Sequence, residues 1–413
     1  MKIKNVHIFG GGTVQYFSSH FALCAPAYGQ TARQLETLVT QRFDNCNVML
    51  ELTKMASKSS SSYSMETNED VERRLEILTA NPNTKVIFFS CALCDYKPDW
   101  NAGKYDSRLD SHNVKEFHPT LVPTKKIISS IRKTRKDIFL VGFKETCGAS
   151  RSEMYQKGLR LCKESSVNLV LVNDTRTRWN MIVTPEEAAY HETADREEVL
   201  KQLVDMAYFR SHLTFTQSTV IEGSPIPWNN HLVPNSLRTI VNYCVSKNAY
   251  KAFNNSTVGH FAVKLSDTEF LTSIRKSNFN NLNNTGLVYV KTDGPDTVIA
   301  YGAKPSVGGQ SQRTVFRDHE GMDCIVHFHC PLRNDAPDDI PIKSQREVEC
   351  GSHECGKQTS EGLKQFGNLK AVYLDNHGPN IIFNSSIDPQ EVIEFIERNF
   401  DLSSKTGGYN LNS

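Results

Sequence analysis

Met322-Asp-Cys-Ile-Val-His327-Phe-His329-Cys-Pro331 is a short apolar, β-rich run that delivers two histidines to its end. In a strand, residues i and i+2 project from the same face, so both imidazoles point one way. Two imidazoles on one rigid face are half of a tetrahedral metal site, and a third ligand must come from elsewhere. Ala371-Val-Tyr-Leu-Asp-Asn-His377-Gly378 offers one, since a second apolar run there ends in a turn carrying a histidine. An isolated His-x-His is more often a half-buried surface pair than a ligand pair. The second strand-end histidine shifts the reading toward a metal. Three neutral imidazoles with one open coordination position describe a catalytic zinc, or another divalent ion, rather than a structural one.

The chain has 413 residues, too many for one ordinary domain, so two or three are expected. Lys+Arg number 47 against Asp+Glu 46, a formal charge of +1, with no basic or acidic block. That balance disfavours nucleic acid and anionic membranes as partners. The stretch Met1-Lys-Ile-Lys-Asn-Val-His-Ile-Phe-Gly10 runs straight into a buried-strand pattern. No stretch approaches the ~18 consecutive apolar residues of a membrane span, and a soluble, cytoplasmic protein is expected. The eleven cysteines are read as free thiols. Cys91-x-x-Cys94 and Cys350-x4-Cys355 could form a structural zinc site only by converging. Cys91 and Cys94 end an apolar strand, where cysteine is commonly a small core residue.

In the first half, strands are expected at 3–9, 47–52, 85–90, 138–143 and 168–172, and helices at 29–42, 69–78 and 152–164. A serine-rich, mobile loop is expected at 57–64. Strands apolar on both faces and alternating with helices mean a doubly wound, Rossmann-like parallel sheet, here a domain over 1–212. Its ligand should lie at the carboxyl ends of the strands. The first strand runs into Gly10-Gly11-Gly12-Thr13, where glycine permits close approach of a phosphate and threonine adds a hydroxyl.

Four strand-end motifs occur in order: Gly10-Gly-Gly-Thr13, Cys91-Ala-Leu-Cys-Asp95-Tyr96-Lys-Pro, Val141-Gly-Phe-Lys-Glu-Thr146 and Val172-Asn173-Asp174. Together they resemble phosphopantothenoylcysteine synthetase, a nucleotide-dependent ligase family. The resemblance implies that Gly10, Gly11, Gly12 and Thr13 hold phosphates of a nucleotide (CTP or ATP). It also implies that Asp95, Asn173 and Asp174 contact the nucleotide and that Phe143 lines the base pocket. Phe21 and Ala25 stand where the family carries an Arg and an Asn, and the basic stretch expected after Asp95-Tyr96 is reduced to Lys104 and Arg108. An alanine cannot donate to a developing oxyanion, a loss of roughly 2.7–4 kcal/mol in a transition state. The first half therefore reads as a nucleotide-binding relative that does not run the ligase reaction.

A Ser-, Thr- and Pro-rich linker is expected at 213–235, a second domain at 236–400 and a flexible tail at 401–413. The second domain should open with a helix over 236–253, followed by short strands and a hairpin about Thr292-Asp-Gly-Pro-Asp296. Further helices are expected at 312–320 and 359–366. Asp388-Pro-Gln-Glu391 should start the last helix, with Asp as N-cap and Pro at the first helical position.

Thr257-Val-Gly-His-Phe-Ala-Val263, Phe270-Leu-Thr-Ser273, Lys304-Pro-Ser306, Val326-His-Phe-His329 and Asn376-His377-Gly378 together resemble the class II aldolase/adducin family, implying an α/β/α domain. The resemblance implies that His327, His329 and His377 bind zinc and that Thr272, Ser273 and Ser306 contact a substrate phosphate. It further implies a Lewis-acid metal that stabilises an enediolate. Relatives of both halves form homo-oligomers, dimers or tetramers, and the same is expected here. Gly308 stands where the family has its general-base Glu, and His260 replaces an Asn. Glu349, His353 and Glu354, in Glu349-Cys-Gly-Ser-His-Glu-Cys-Gly356, are either a rebuilt catalytic set or an ordinary polar loop.

The expected function is a two-domain metabolic enzyme, with a nucleotide-binding synthetase-like half and a zinc-dependent aldolase- or epimerase-like half acting on a small phosphosugar or carbonyl compound. The alternatives are a bifunctional carboxylate–amine ligase and lyase, or a non-catalytic adducin-like scaffold.

Overall fold

The computed structural model describes residues 3–57, 65–100, 104, 107–108, 110–113, 115–306 and 310–411. Most of the serine-rich loop and Gly308 lie outside the described residues. The chain divides into two compact units, Met1–Pro185 with Tyr190–His212, and Leu213–Ser413 with the four residues Glu186–Ala189.

The first unit is built on a seven-stranded sheet in the order Ala189–Thr193, Asn180–Val183, Leu169–Asp174, Phe139–Thr146, Thr84–Ala92, Asn5–Gly12, Asn47–Leu52. The strands from Leu169–Asp174 to Asn47–Leu52 pair in parallel, and Asn180–Val183 is antiparallel to its neighbour. The parallel strands are almost wholly apolar because both faces are covered, as Val86-Ile-Phe-Phe89 and Leu169-Val-Leu-Val172 show by being buried throughout. Three expected helices form at Gln30–Arg42, Asn68–Ala80 and Arg151–Ser165. The last two start on capping boxes, Thr67 with Asp70 and Ser150 with Glu153. Two small antiparallel pairs, Val14–Ser18 with Phe21–Cys24 and Tyr96–Pro98 with Leu121–Pro123, stand outside the main sheet.

The second unit holds a ten-stranded, mainly antiparallel sheet. Its central path runs Leu287–Thr292, Glu269–Ser273, His260–Lys264, Cys324–His327, Gly378–Phe383, Leu369–Leu374. Alternate residues divide between two apolar cores. Phe261, Val263, Leu271, Cys324, Val326, Ile381 and Phe383 face one, with residues of the helices Asn235–Ser246 and Pro389–Asn399. Ala262, Phe270, Ile325 and Ile382 face the other, with Val315 and Phe316 of the helix Gln310–Asp318. A sheet with helices on both faces is the α/β/α arrangement expected.

Several boundaries differ from the expectation. The helix expected to reach 253 ends at Ser246, because Asn248 turns left-handed (φ 56°) and the amide of Ala249 donates to the carbonyl of Cys244. The helix expected over 359–366 occupies His353–Gly362, started by the Ser352 side chain accepting from the Cys355 amide. Lys364–Phe366 instead forms a strand beside Leu369–Leu374. Within 213–235, Gln217–Ile221 pairs in parallel with Thr297–Tyr301, and Trp228 and Val233 are buried. Within 401–413, Lys405 and Thr406 are buried, and the Lys251 ammonium donates to the Leu402 carbonyl at 2.6 Å.

Candidate metal centre and the glycine loop

His327 ends the strand Cys324–His327, directly across from His260 on the neighbouring strand and Asn380 on the other. His329 lies two residues further, and His377 occupies the turn between Leu369–Leu374 and Gly378–Phe383. Adjacent antiparallel strands thus bring the three imidazoles together from positions far apart in sequence. All three are buried, and one ring nitrogen from each lies within 4.8 Å of the others. Gly378 closes this turn at φ 137°, where a Cβ would sit 2.1 Å from the Phe328 carbonyl oxygen. Only glycine lets the two segments approach so closely.

The outer nitrogen of each of two rings lies against an oxygen atom. His327 Nδ1 lies 2.7 Å from the Pro379 carbonyl oxygen, and His329 Nδ1 lies 2.8 Å from Glu187 Oε2, an oblique approach between two buried side chains. Carbonyl and carboxylate oxygens only accept, so each Nδ1 carries a hydrogen and each Nε2 of a neutral ring presents a lone pair. These two Nε2 atoms face each other at 3.1 Å. Such a pair needs a cation between them, either a proton or a metal. A tetrahedral zinc site places its nitrogens about 3.3 Å apart. A proton serves two nitrogens, whereas three converge here, so the donor set fits a divalent metal. Burial pushes His327 well below the usual histidine range, which keeps that ring neutral.

A fourth imidazole adjoins the group. The His260 ring centroid is 4.8 Å from that of His327, and Gln312 Nε2 lies 3.2 Å from His260 Nδ1. Burial takes its pKa down to about 3, so it lines the site as a neutral ring.

The other residues singled out in this half lie as follows. The Thr272 hydroxyl donates to the Phe261 carbonyl at 3.1 Å, and the Ser273 hydroxyl is buried without a hydrogen-bond partner among the described residues. Ser306 is half-buried next to Pro305, which bridges to Ile274. His353 and Glu354 turn to a different neighbour: His353 Nε2 lies 3.1 Å from Thr216 Oγ1, and Glu354 accepts from the amide and hydroxyl of Thr214. As the first two residues of a helix capped by Ser352, they are directed to the segment that bridges at Phe215. Glu349 is half-buried, and its carbonyl accepts from the Ser352 amide. The side chains of His353 and Glu354 are thus engaged with Thr216 and Thr214, and the carboxylate beside His329 is that of Glu187. No motif surrounds Glu187 in Thr184-Pro-Glu-Glu-Ala188, and nothing local in the sequence singles it out.

In the first unit, the glycine loop is filled by its own chain. The Gly12 amide donates to the Ala27 carbonyl and the Thr13 amide to the Ala92 carbonyl. A Cβ on Gly10 would lie 2.3 Å from Ala32 Cβ, and one on Gly12 would lie 1.9 Å from the Ala25 carbonyl oxygen. The Thr13 hydroxyl donates to Asn68 Oδ1 at 2.6 Å. The glycines expected to admit a phosphate admit protein backbone and side chains, and the donors at Gly12 and Thr13 are committed internally.

Asp174 is likewise engaged. It is buried and accepts from the amides of Ala149, Arg176 and Thr177 and the hydroxyls of Thr146 and Thr177, which hold its carboxyl far below the usual range. Asn173 and Phe143 are half-buried. Asp95 is exposed and receives the Lys126 ammonium at 2.6 Å. Asp95, Tyr96, Pro123, Thr124 and Lys126 line a shallow cleft. Lys125 and Lys126 lie far from Asp95-Tyr96 in sequence, beyond the reach of a local motif, and the pairing of Tyr96–Pro98 with Leu121–Pro123 brings them back.

No family model and no curated protein matches the sequence. Solved structures are similar to each half. The N-terminal half is similar to the DNA/pantothenate metabolism flavoprotein from Streptococcus pneumoniae, with 18% identity over 49% of this chain and 97% of that one, at a TM-score of 0.40. The C-terminal half is similar to an L-fuculose 1-phosphate aldolase, with 16% identity over 39% of this chain and 80% of that one, at a TM-score of 0.30. It is also similar to YgbL from Escherichia coli, a putative aldolase/epimerase/decarboxylase, with 19% identity over 39% of this chain and 83% of that one, at a TM-score of 0.29.

Proposed function

We propose that the second unit is a metal-dependent lyase module in which His327, His329 and His377 hold zinc or another divalent ion. Its substrate on this reading is a small, phosphorylated carbonyl compound. The observation that carries the reading is the convergence of three buried ring nitrogens, two of them with tautomers set by acceptor-only partners. A divalent ion there would supply Lewis-acid polarisation of a carbonyl oxygen. The chain's own residues orient the rings: Pro379 through its carbonyl, Glu187 through its carboxylate, and Gly378 by letting the turn approach. The neutral His260 ring adds a polar wall without a positive charge that would repel the ion. For the first unit we propose a nucleotide or nucleotide-linked ligand bound outside the filled glycine loop and without ligase chemistry; Ala25 and the internal commitment of Gly12 and Thr13 support the loss of that chemistry. The exposed Asp95–Lys126 cleft is the surface to test.

Elemental analysis of the purified chain beside His329→Ala tests the metal. About one divalent ion per chain is expected in the wild type and none in the variant. Full metal content in His329→Ala would overturn the assignment. Absence of metal from both, after reconstitution with zinc, would leave the scaffold reading.

A further inference from the structure

Glu187 and His329 are both buried, with side chains 3% and 6% exposed, and they meet at 2.8 Å. The backbone of Glu187 is left-handed (φ 62°), a conformation uncommon for a non-glycine residue. Two consecutive residues tie Glu187 to the histidines. The buried Lys405 ammonium donates to the Glu187 carbonyl at 2.7 Å. Thr406 next to it donates its amide to the His329 carbonyl at 3.2 Å and its hydroxyl to the His377 carbonyl at 3.2 Å. The same short segment therefore registers the carboxylate and two of the imidazoles against one another.

We infer that Glu187 is the positioning residue of the metal centre, an outer carboxylate that acts through His329; this rests on the metal reading above. The carboxylate, 2.8 Å from His329 Nδ1, favours the hydrogen on that nitrogen and so leaves the Nε2 lone pair for the side of His327 and His377. Its negative charge strengthens donation from the ring to a cation. It also offsets part of the charge of a divalent ion held by three neutral ligands in a buried site, where an isolated charge is costly. The His327 ring has a neutral partner, the Pro379 carbonyl, so the charged support of the site falls on His329. Because the carboxylate lies at the outer nitrogen, Glu187 orients a ligand and does not take a proton from a substrate.

The test uses the full chain with Glu187→Gln and Glu187→Asn. Glutamine keeps the reach and one accepting oxygen but loses the charge. Asparagine tolerates the left-handed backbone but stops short of the ring. Zinc affinity is measured by competition with a chromophoric chelator, and ligand geometry by the visible spectrum of the cobalt-substituted protein. A loss of roughly tenfold to a hundredfold is expected for Glu187→Asn, with a shifted cobalt spectrum and a smaller loss for Glu187→Gln. If Glu187→Asn does not fold, Glu187→Gln alone decides through the same two readouts. Unchanged affinity and spectrum in a variant whose metal-free form melts lower would reduce Glu187 to a structural contact and overturn this inference alone. A wild-type chain that takes up neither zinc nor cobalt would overturn the metal reading and this inference with it.

Discussion

The Thr13 hydroxyl donates to Asn68 Oδ1 and accepts from the Cys94 amide at 3.0 Å, and the Asn68 amide in turn donates to the Cys94 carbonyl at 2.8 Å. This buried network ties the end of the first strand to a helix start and to the turn after Thr84–Ala92. Thr13→Val keeps the shape and removes the hydroxyl. It leaves Asn68 short of a donor, while the Cys94 amide retains Asn68 Oδ1 at 3.2 Å. A destabilisation of about 1–2 kcal/mol is expected, read as a lower urea midpoint with unchanged slope. An unchanged midpoint, together with lost binding of a nucleotide, would show instead that the hydroxyl serves a ligand.

Between the strand Val14–Ser18 and the helix Asn68–Ala80, Glu66 acts as a clasp. It accepts from Tyr16 at 2.6 Å, Lys104 at 2.6 Å and Lys54 at 3.1 Å. Burial pushes its carboxyl up, but Lys104, Tyr16 and Lys54 together bring it down from 4.5 to about 2. The folded value lies below the unfolded one, so the clasp stabilises fully above pH 4.5 and is lost as pH falls toward 2. The gap in stability between wild type and Glu66→Gln should therefore be constant near neutrality, narrow below pH 4.5 and close near pH 2; a gap that persists at low pH would exclude the carboxylate as its source. The legible elements are those whose signals are local. Asp388-Pro389 caps its helix as expected, and the apolar strands of the first unit fall within a few residues of their expected places. The three histidines were legible because strand periodicity and a turn suffice to place them. Asn248, Ser352 and the filled glycine loop were not, because each depends on which segment packs opposite. Glu187 reaches His329 only through tertiary structure, and no spacing rule connects them.

Each unit has its own sheet and its own apolar core, so the intact chain should unfold in two calorimetric transitions. A ligand bound by one folded unit stabilises that unit alone, by about 2.7 kcal/mol when its free concentration is a hundred times the dissociation constant. For a unit of roughly two hundred residues, each kcal/mol raises the midpoint by about 2–4 °C, hence about 5–10 °C in all. Stripping the protein with a chelator should lower one transition by that amount and leave the other in place, and added zinc should restore it. Thr13→Val identifies the remaining transition, because it should lower the midpoint that the chelator does not touch. His329→Ala should resemble the stripped protein and gain nothing from zinc. A chelator that moves neither transition would remove the metal from the account, whereas one transition moving as a whole would mean that the two units unfold together and that metal held at His327, His329 and His377 stabilises the entire chain.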